Sequence, residues 1–242
     1  MTPLILIPTR MGATRLPGKP LADIGGKPMI VRAWEQAMLS GLPVAVAAGD
    51  PEIVEAVEAV GGRAVLTDPE LPSGSDRVLA ALETLDPVGE YDSVINLQGD
   101  MPLADPGIAL ACAALMRDEP SCDIATLVAP ELDASDRSNP DVVKAVLALA
   151  EGERHGRALY FTRSTLYGDA PVWRHIGVYG YRREALKRFC AAPPSPLERR
   201  EKLEQLRALE LGLSIWAAVI DEAPISVDNP ADLEAARALA AR

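Results

Sequence analysis

Leu4-Ile-Leu-Ile-Pro-Thr-Arg-Met-Gly-Ala-Thr-Arg-Leu-Pro-Gly-Lys-Pro20 reads as a strand followed by a ligand loop. Leu4 to Ile7 is an apolar run of strand length, the pattern of a strand buried on both faces. Gly12, Pro17, Gly18 and Pro20 then break the chain into turns. Three fixed positive charges, Arg10, Arg15 and Lys19, lie in that segment. Open α/β sheets place ligands where loops leave the carboxyl ends of strands. Arg offers phosphate oxygens a planar fork, and Lys offers a compact point charge. The loop is therefore expected to hold a polyphosphate. It is not a P-loop, because Gly-x4-Gly-Lys-Ser/Thr occurs nowhere in the chain, and Gly-x-Gly-x-x-Gly is also absent.

Outward from this stretch, strands and helices alternate. Helical spacing of apolar residues predicts a helix over 28–40, ended by Gly41. A strand is expected over 44–48. Asp50 and Pro51 supply an N-cap and a first-turn proline for a helix to residue 60. A strand over 64–67, a helix over 75–85 and a strand over 93–97 follow. This alternation predicts βαβ units, right-handed crossovers and a mainly parallel sheet. Later, a helix is expected over 106–116, strands over 124–128, 158–161, 176–181 and 215–220, one charged amphipathic helix over 198–211, and a last helix over 231–241. Residues 142–149 read as a strand pair or as a strand and turn. No internal repeat or long linker is evident, and the expected organisation is one domain over 1–242.

Composition narrows the function. The chain has 242 residues, 48% of them hydrophobic, and a mean hydropathy of +0.07, which excludes disorder. Its 24 basic and 35 acidic residues give a net charge of −11, which argues against nucleic acid or an anionic membrane as partner. No apolar run approaches the roughly 20 residues that span a bilayer. The amino terminus runs straight into a strand without a leader pattern. Cys112, Cys122 and Cys190 lack zinc spacing and cannot all pair, as in a reduced, cytoplasmic protein.

Four more constellations carry polar chemistry. In Asn96-Leu-Gln-Gly-Asp-Met-Pro102, Gly99 permits a tight turn, so Asp100 projects beside the basic loop. There it reads as a Mg²⁺ ligand, since Mg²⁺ takes one or two carboxylates plus substrate phosphates and water. In Pro72-Ser-Gly-Ser-Asp-Arg77, Ser73 or Ser75 caps a helix, and Arg77 opposes the helix dipole, which favours a ligand role. In Trp173-Arg-His-Ile-Gly-Val-Tyr-Gly-Tyr181, His175 and Tyr179 share a face of a straight strand. His155 falls in a polar loop and has no assigned role. In Val227-Asp-Asn-Pro-Ala-Asp232, Asp228 is a second metal carboxylate or part of a helix cap.

Together these motifs, with Gly25-Gly26-Lys27-Pro28-Met29-Ile30, Tyr160-Phe161 with Arg163, Ser195-Pro-Leu-Glu198 and Leu203-Glu-Gln-Leu-Arg207, resemble the 3-deoxy-manno-octulosonate (KDO) cytidylyltransferases of lipopolysaccharide synthesis. The resemblance covers essentially the whole chain. It implies a Rossmann-like three-layer α/β sandwich with a small dimerisation subdomain of strands. It also implies CTP and KDO as substrates, Mg²⁺ as cofactor, and a homodimer. Arg10, Arg15 and Lys19 would hold the triphosphate, and Ser73, Arg77 and Gln98 would line the cytidine pocket. Asp100 and Asp228 would bind Mg²⁺, and these two with Arg10 and Lys19 would form the catalytic set. Arg163, His175, Tyr179, Glu204 and Gln205 would contact the sugar acid. Three positions depart from the family pattern: Ala13 where Ser is usual, Asp76 where Glu is usual, and Met101 where Glu is usual. They leave room for an altered acid sugar, such as 8-amino-KDO or sialic acid, or for a nucleotide-binding regulator that has lost catalysis.

Overall fold

The buried run 4–7 lies inside β1 (Pro3–Thr9), the start of a parallel sheet. In the computed structural model, which describes residues 1–12, 16–131 and 134–241, the chain gathers into two compact units where the sequence reads as one domain. One comprises Met1–Leu110 and Pro224–Arg242, the other Ala111–Ala223.

In the first unit a short hairpin, β2 (Asp23–Ile24) and β3 (Lys27–Pro28), leads into α1 (Met29–Met38). Then come β4 (Val44–Ala48), α2 (Pro51–Glu58), β5 (Ala64–Leu66), α3 (Gly74–Leu85) and β6 (Ser93–Asn96). β4 and β6 flank β1 in parallel, and β5 adds parallel to β4. These are the crossovers expected of βαβ units. β4 and β6 are buried along their whole length, so their apolar character comes from coverage on both faces.

α4 (Gly107–Asp118) leads into the second unit, which contains β7 (Ile124–Pro130), β8 (Lys144–Ala148), β9 (His155–Thr162) and β10 (Trp173–Arg182). α5 (Arg183–Ala191), α6 (Pro196–Glu201), α7 (Gln205–Glu210) and β11 (Ile215–Val219) complete it. The expectation of a mainly parallel sheet fails here. Among the described residues of this unit only β11 and β7 pair in parallel, while β10–β7, β11–β9, β8–β9 and β10–β8 are antiparallel. These pairings close a circuit, because β8 meets β10 at Lys144–Arg174 and Ala145–Trp173. His155 starts β9 and its ring faces Trp216 at 6.3 Å, so the polar-loop reading of that residue is corrected.

The single helix expected over 198–211 is two. Lys202 sits in the left-handed region (φ 56°) and ends α6, the sole non-glycine with positive φ among the described residues. On one continuous helix Glu198 and Arg207, nine residues apart, would face opposite ways. The break lets Arg207 grip the Glu198 carboxylate with two bonds, of 2.7 and 2.8 Å.

The last element, α8 (Pro230–Ala240), returns to the first unit. Asn229 and Asp232 form a capping box at its start. Leu233 and Ala236 then pack with Ile24, Met29 and Val227 in a buried cluster, which fixes the position of Asp228.

Candidate active site

The first unit gathers its polar groups past the carboxyl ends of β1 and β6. A cavity of about 420 Å³ there is lined by residues that include Arg10, Lys19, Ser73, Arg77, Gln98, Asp100 and Asp228. Gly18 (φ 68°) turns the basic loop into a 3-10 turn at Lys19–Leu21. From it Lys19 Nζ reaches Asp100 Oδ2 at 2.8 Å and Asp228 Oδ1 at 3.4 Å. Gly99 suits the Asp100 turn, because a Cβ there would stand a tight 3.3 Å from Ile30 and Thr9 side-chain atoms. The Asp100 carbonyl accepts from Val227 N at 2.9 Å, so the two carboxylate-bearing segments are tied together. Two acids from distant parts of the chain thus converge on one ammonium. Among the described residues, no cluster of three or more His, Cys, Asp or Glu is arranged to enclose a metal.

The guanidinium groups form a second positive focus. Arg10 and Arg77 both donate to the Pro69 carbonyl, at 3.4 and 3.3 Å. Arg77 is almost wholly buried and also donates to Thr67 Oγ1 (2.6 Å) and the Asp68 carbonyl (3.0 Å). Its pKa is lowered, first by burial and then by the charge of Arg10. The expected ligand role is therefore overlaid by a structural one, since Arg77 pins the 67–69 turn. Gly49 is required beside the pair, because a Cβ would lie 2.9 Å from both arginine side chains. Ser73 is the cap of α3. Its hydroxyl donates to Asp76 Oδ2 at 2.7 Å and accepts from the Asp76 amide at 3.2 Å. Gln98 lines the cavity and its Nε2 donates to Asn96 Oδ1 at 3.3 Å. Met101 is buried in the core. Arg15 and Ala13 lie outside the described residues.

Asp50 stands at the N-cap position of α2 with Pro51 in the first turn, as expected, but its side chain serves another purpose. It makes no side-chain cap bond to α2; its Oδ2 accepts from the Met11 amide at 2.7 Å and so anchors the basic loop. The Asp-Pro signature fits both roles, and only the fold separates them.

In the second unit, rings dominate. Phe161, His175, Tyr179, Tyr181 and Phe189 follow one another at centroid spacings of 4.9, 5.5, 5.8 and 6.0 Å. Arg207 Cζ sits 4.6 Å over the Phe189 ring. A register shift in β10 between Ile176 and Tyr179 departs from the straight strand expected, yet His175 and Tyr179 remain neighbours. Burial lowers the His175 pKa to about 3, so the ring is neutral. Its Nε2 lies 2.9 Å from Thr126 Oγ1, which is also within reach of the Ile176 and Val178 carbonyls. A hydroxyl has one proton, and a carbonyl can only accept it. Thr126 has one proton for these acceptors; with it on a carbonyl, His175 donates from Nε2 and Nδ1 is left as an acceptor. Burial, reinforced by the Glu204 carboxylate, raises the Tyr179 pKa, so its phenol stays protonated.

Glu204 and Gln205 lie just beyond the Lys202 break, and Glu204 Oε1 is 3.6 Å from Arg207. Gln205 is buried, and its Nε2 has no hydrogen-bond partner. A buried amide left unpaired costs about 1–3 kcal/mol, so such a group calls for an explanation. Arg163 does not join these four through any direct bond described here. Its Nη1 donates to the Pro140 carbonyl at 3.0 Å, and it opens onto a wide depression shared with Arg200, Glu201 and Lys202.

Comparison with known proteins identifies the family. The family profile described as "Cytidylyltransferase" matches residues 4–215. A 3-deoxy-manno-octulosonate cytidylyltransferase of Parvibaculum lavamentivorans is 58% identical, covering 99% of this chain and 93% of its own. The protein of that name from Paramagnetospirillum magneticum is 55% identical over 99% and 98%. A solved CMP:2-keto-3-deoxy-manno-octonic acid synthetase complexed with CTP superposes with a TM-score of 0.91 at 38% identity, over 100% and 99% of the two chains. A 4-diphosphocytidyl-2C-methyl-D-erythritol synthase from Anaerococcus prevotii, 11% identical over 100% and 99%, shares the fold with a TM-score of 0.67. With matches of this extent and identity, the chain belongs to the 3-deoxy-manno-octulosonate cytidylyltransferase family.

Proposed function

We propose that this protein joins CTP and KDO to give CMP-KDO and pyrophosphate, the step that activates KDO for lipopolysaccharide synthesis. Relatives at 52–58% identity carry that name, and a CTP-complexed structure shares the fold. The observation that carries the reading is the Lys19 ammonium between Asp100 and Asp228, beside two guanidiniums on one carbonyl. Such a set suits a polyphosphate.

The triphosphate of CTP lies against Arg10, Arg15 and Lys19, and the cytidine against Ser73, Arg77 and Gln98. The Asp100 and Asp228 pair fits Mg²⁺: two hard oxygen ligands converge, too few to enclose the ion, which leaves positions for phosphate and water oxygens. When bound, Mg²⁺ would neutralise charge on the phosphates. Lys19 then holds a phosphate oxygen between the two acids, and Arg10 balances charge that builds on the leaving pyrophosphate. The sugar acid places its carboxylate on Arg163. One hydroxyl donates to Nδ1 of neutral His175, others donate to Glu204, and sugar oxygens accept from the Tyr179 phenol and the Gln205 amide. The anomeric hydroxyl gives its proton to solvent water, its oxygen forms a bond to the α-phosphorus, and the bond from that phosphorus to the α–β bridging oxygen breaks in line, so that pyrophosphate leaves. The residues contribute positioning and charge stabilisation, with no covalent enzyme intermediate.

A Rossmann-like layering and a homodimer with C₂ symmetry belong to the same reading, with sedimentation at micromolar concentration as the check on assembly. A cytoplasmic site of action also belongs to this reading; among the described residues no helix is long and apolar enough to cross a membrane. Pyrophosphate release should be measured over a panel of nucleotides with KDO, 8-amino-KDO and sialic acid. Steady release with CTP and KDO supports the reading. Preference for another acid would move the substrate and leave the reaction, and absence of release with every acid would favour a regulator.

A further inference from the structure

Lys144 is wholly buried in β8, and the transfer reaction does not use it. An ammonium is seldom shut away from water unless its donors are spent. Here Nζ donates to the carbonyls of Asn139 and Arg163, each at 2.8 Å. Those carbonyls belong to separate segments, one before β8 and one after β9. The strand register sets Lys144 opposite Thr162 on one side and Arg174 on the other, which fixes its backbone between two strands. Arg163 in turn rests its guanidinium on the Pro140 carbonyl at 3.0 Å. The bonds form a closed frame. One buried ammonium grips the backbone of Arg163 and also the residue next to the carbonyl that steadies the Arg163 side chain. Asp136, paired with Arg174 at 3.4 Å, opposes the effect of burial and of Arg163 on the ammonium.

We propose that Lys144 is a positioning residue for sugar-acid recognition, holding both backbone segments on which the Arg163 guanidinium rests. This inference depends on the reading that Arg163 meets the substrate carboxylate. A guanidinium on a long, free stem must be ordered at binding, and one held beforehand binds without that cost.

The test is a double-mutant cycle in steady-state pyrophosphate release, using Lys144→Met, Arg163→Ala and both together. Lys144→Met is expected to raise the KDO KM by about tenfold to a hundredfold, the scale of a misplaced contact, and to leave the CTP KM unchanged. Added to Arg163→Ala, it should raise the KDO KM little further, because a residue acting through Arg163 has nothing left to act on. An unchanged KDO KM, an equal rise in both backgrounds, or a matching rise for CTP would overturn the inference. If Lys144→Met does not fold, Lys144→Gln keeps one donor and faces the same criteria. Should Arg163→Ala alone leave the KDO KM untouched, the reading of Arg163 falls and the inference with it. A raised KM in Arg163→Ala with none in Lys144→Met defeats the inference alone.

Discussion

The two units present polar chemistry in opposite ways. Past β1 and β6, full charges stand close together: an ammonium between two carboxylates, and two guanidiniums on one carbonyl. Around His175, Tyr179 and Gln205 three uncharged groups sit beside the Glu204 carboxylate: an imidazole with its pKa driven to about 3, a phenol kept protonated, and a carboxamide without a partner. The first arrangement gains from any polyanion and discriminates little by shape. The second concentrates its uncharged polar groups in buried positions and disfavours a ligand that leaves them unpaired. On the proposed function, phosphate affinity would lie in one region and choice of sugar in the other.

The largest effect should come from breaking the charged cluster. Asp100→Asn is expected to keep the fold, since Asp100 is only partly buried, and to cut transfer by about 10²–10³-fold, as loss of a preorganised charge-stabilising group does. Single-turnover pyrophosphate release alongside a thermal melt measures both; near-normal turnover would remove Asp100 from the machinery. Next come Lys19→Ala and Arg10→Ala. Each should weaken CTP by about 1.5–3 kcal/mol per charged hydrogen bond lost, and cytidine without phosphates should bind as before. Calorimetry showing equal losses for cytidine and CTP would contradict the division of labour.

The neutral region should respond more gently, with stability and recognition moving in opposite directions. Gln205→Met keeps the volume and removes an unpaired amide, so the melting temperature should hold or rise. The KDO KM should increase by roughly fivefold, about 1 kcal/mol of one neutral hydrogen bond. A fall in stability with unchanged KM would make Gln205 a core residue and nothing more. The smallest effect concerns pH. The ordinary histidine value is about 6.5, and His175 in the fold is near 3. Between those values the unfolded chain takes up a proton that the folded chain refuses. This contribution is thus present above pH 6.5 and is lost as pH falls toward 3. His175→Gln should flatten that part of the stability profile. Titration of the His175 resonance between pH 5 and 8 would sink the assignment.

Much of the first unit was legible because its signals are local. The Leu4 run, the Gly-rich turn before Asp100 and the caps at Ser73 and Asn229 each act within a few residues, and parallel crossovers follow from their alternation. Legibility ended where one residue type serves two ends. Asp50 has the sequence of a cap and the bonds of a loop anchor. The second unit depends on distant partners. Its antiparallel pairings join segments up to dozens of residues apart, and no local pattern announces them. The break at Lys202 escaped notice because the residue is not glycine; what holds it is the Glu198–Arg207 pair across it. Lys144 has no local signal either, because its partners, the Asn139 and Arg163 carbonyls, come from either side of a hairpin.

The return of the chain at Pro224 has a consequence during synthesis. Asp228 belongs to the same compact unit as Lys19 and Asp100, yet the ribosome delivers it more than a hundred residues after Asp100. Until α8 emerges from the exit tunnel, Ile24 and Met29 lack Leu233 and Ala236 as cover, and Lys19 has one acid in place of two. A nascent chain stalled anywhere before residue 224 would therefore expose an apolar patch and carry an incomplete site, which marks it for chaperones and proteases before it can bind a nucleotide productively.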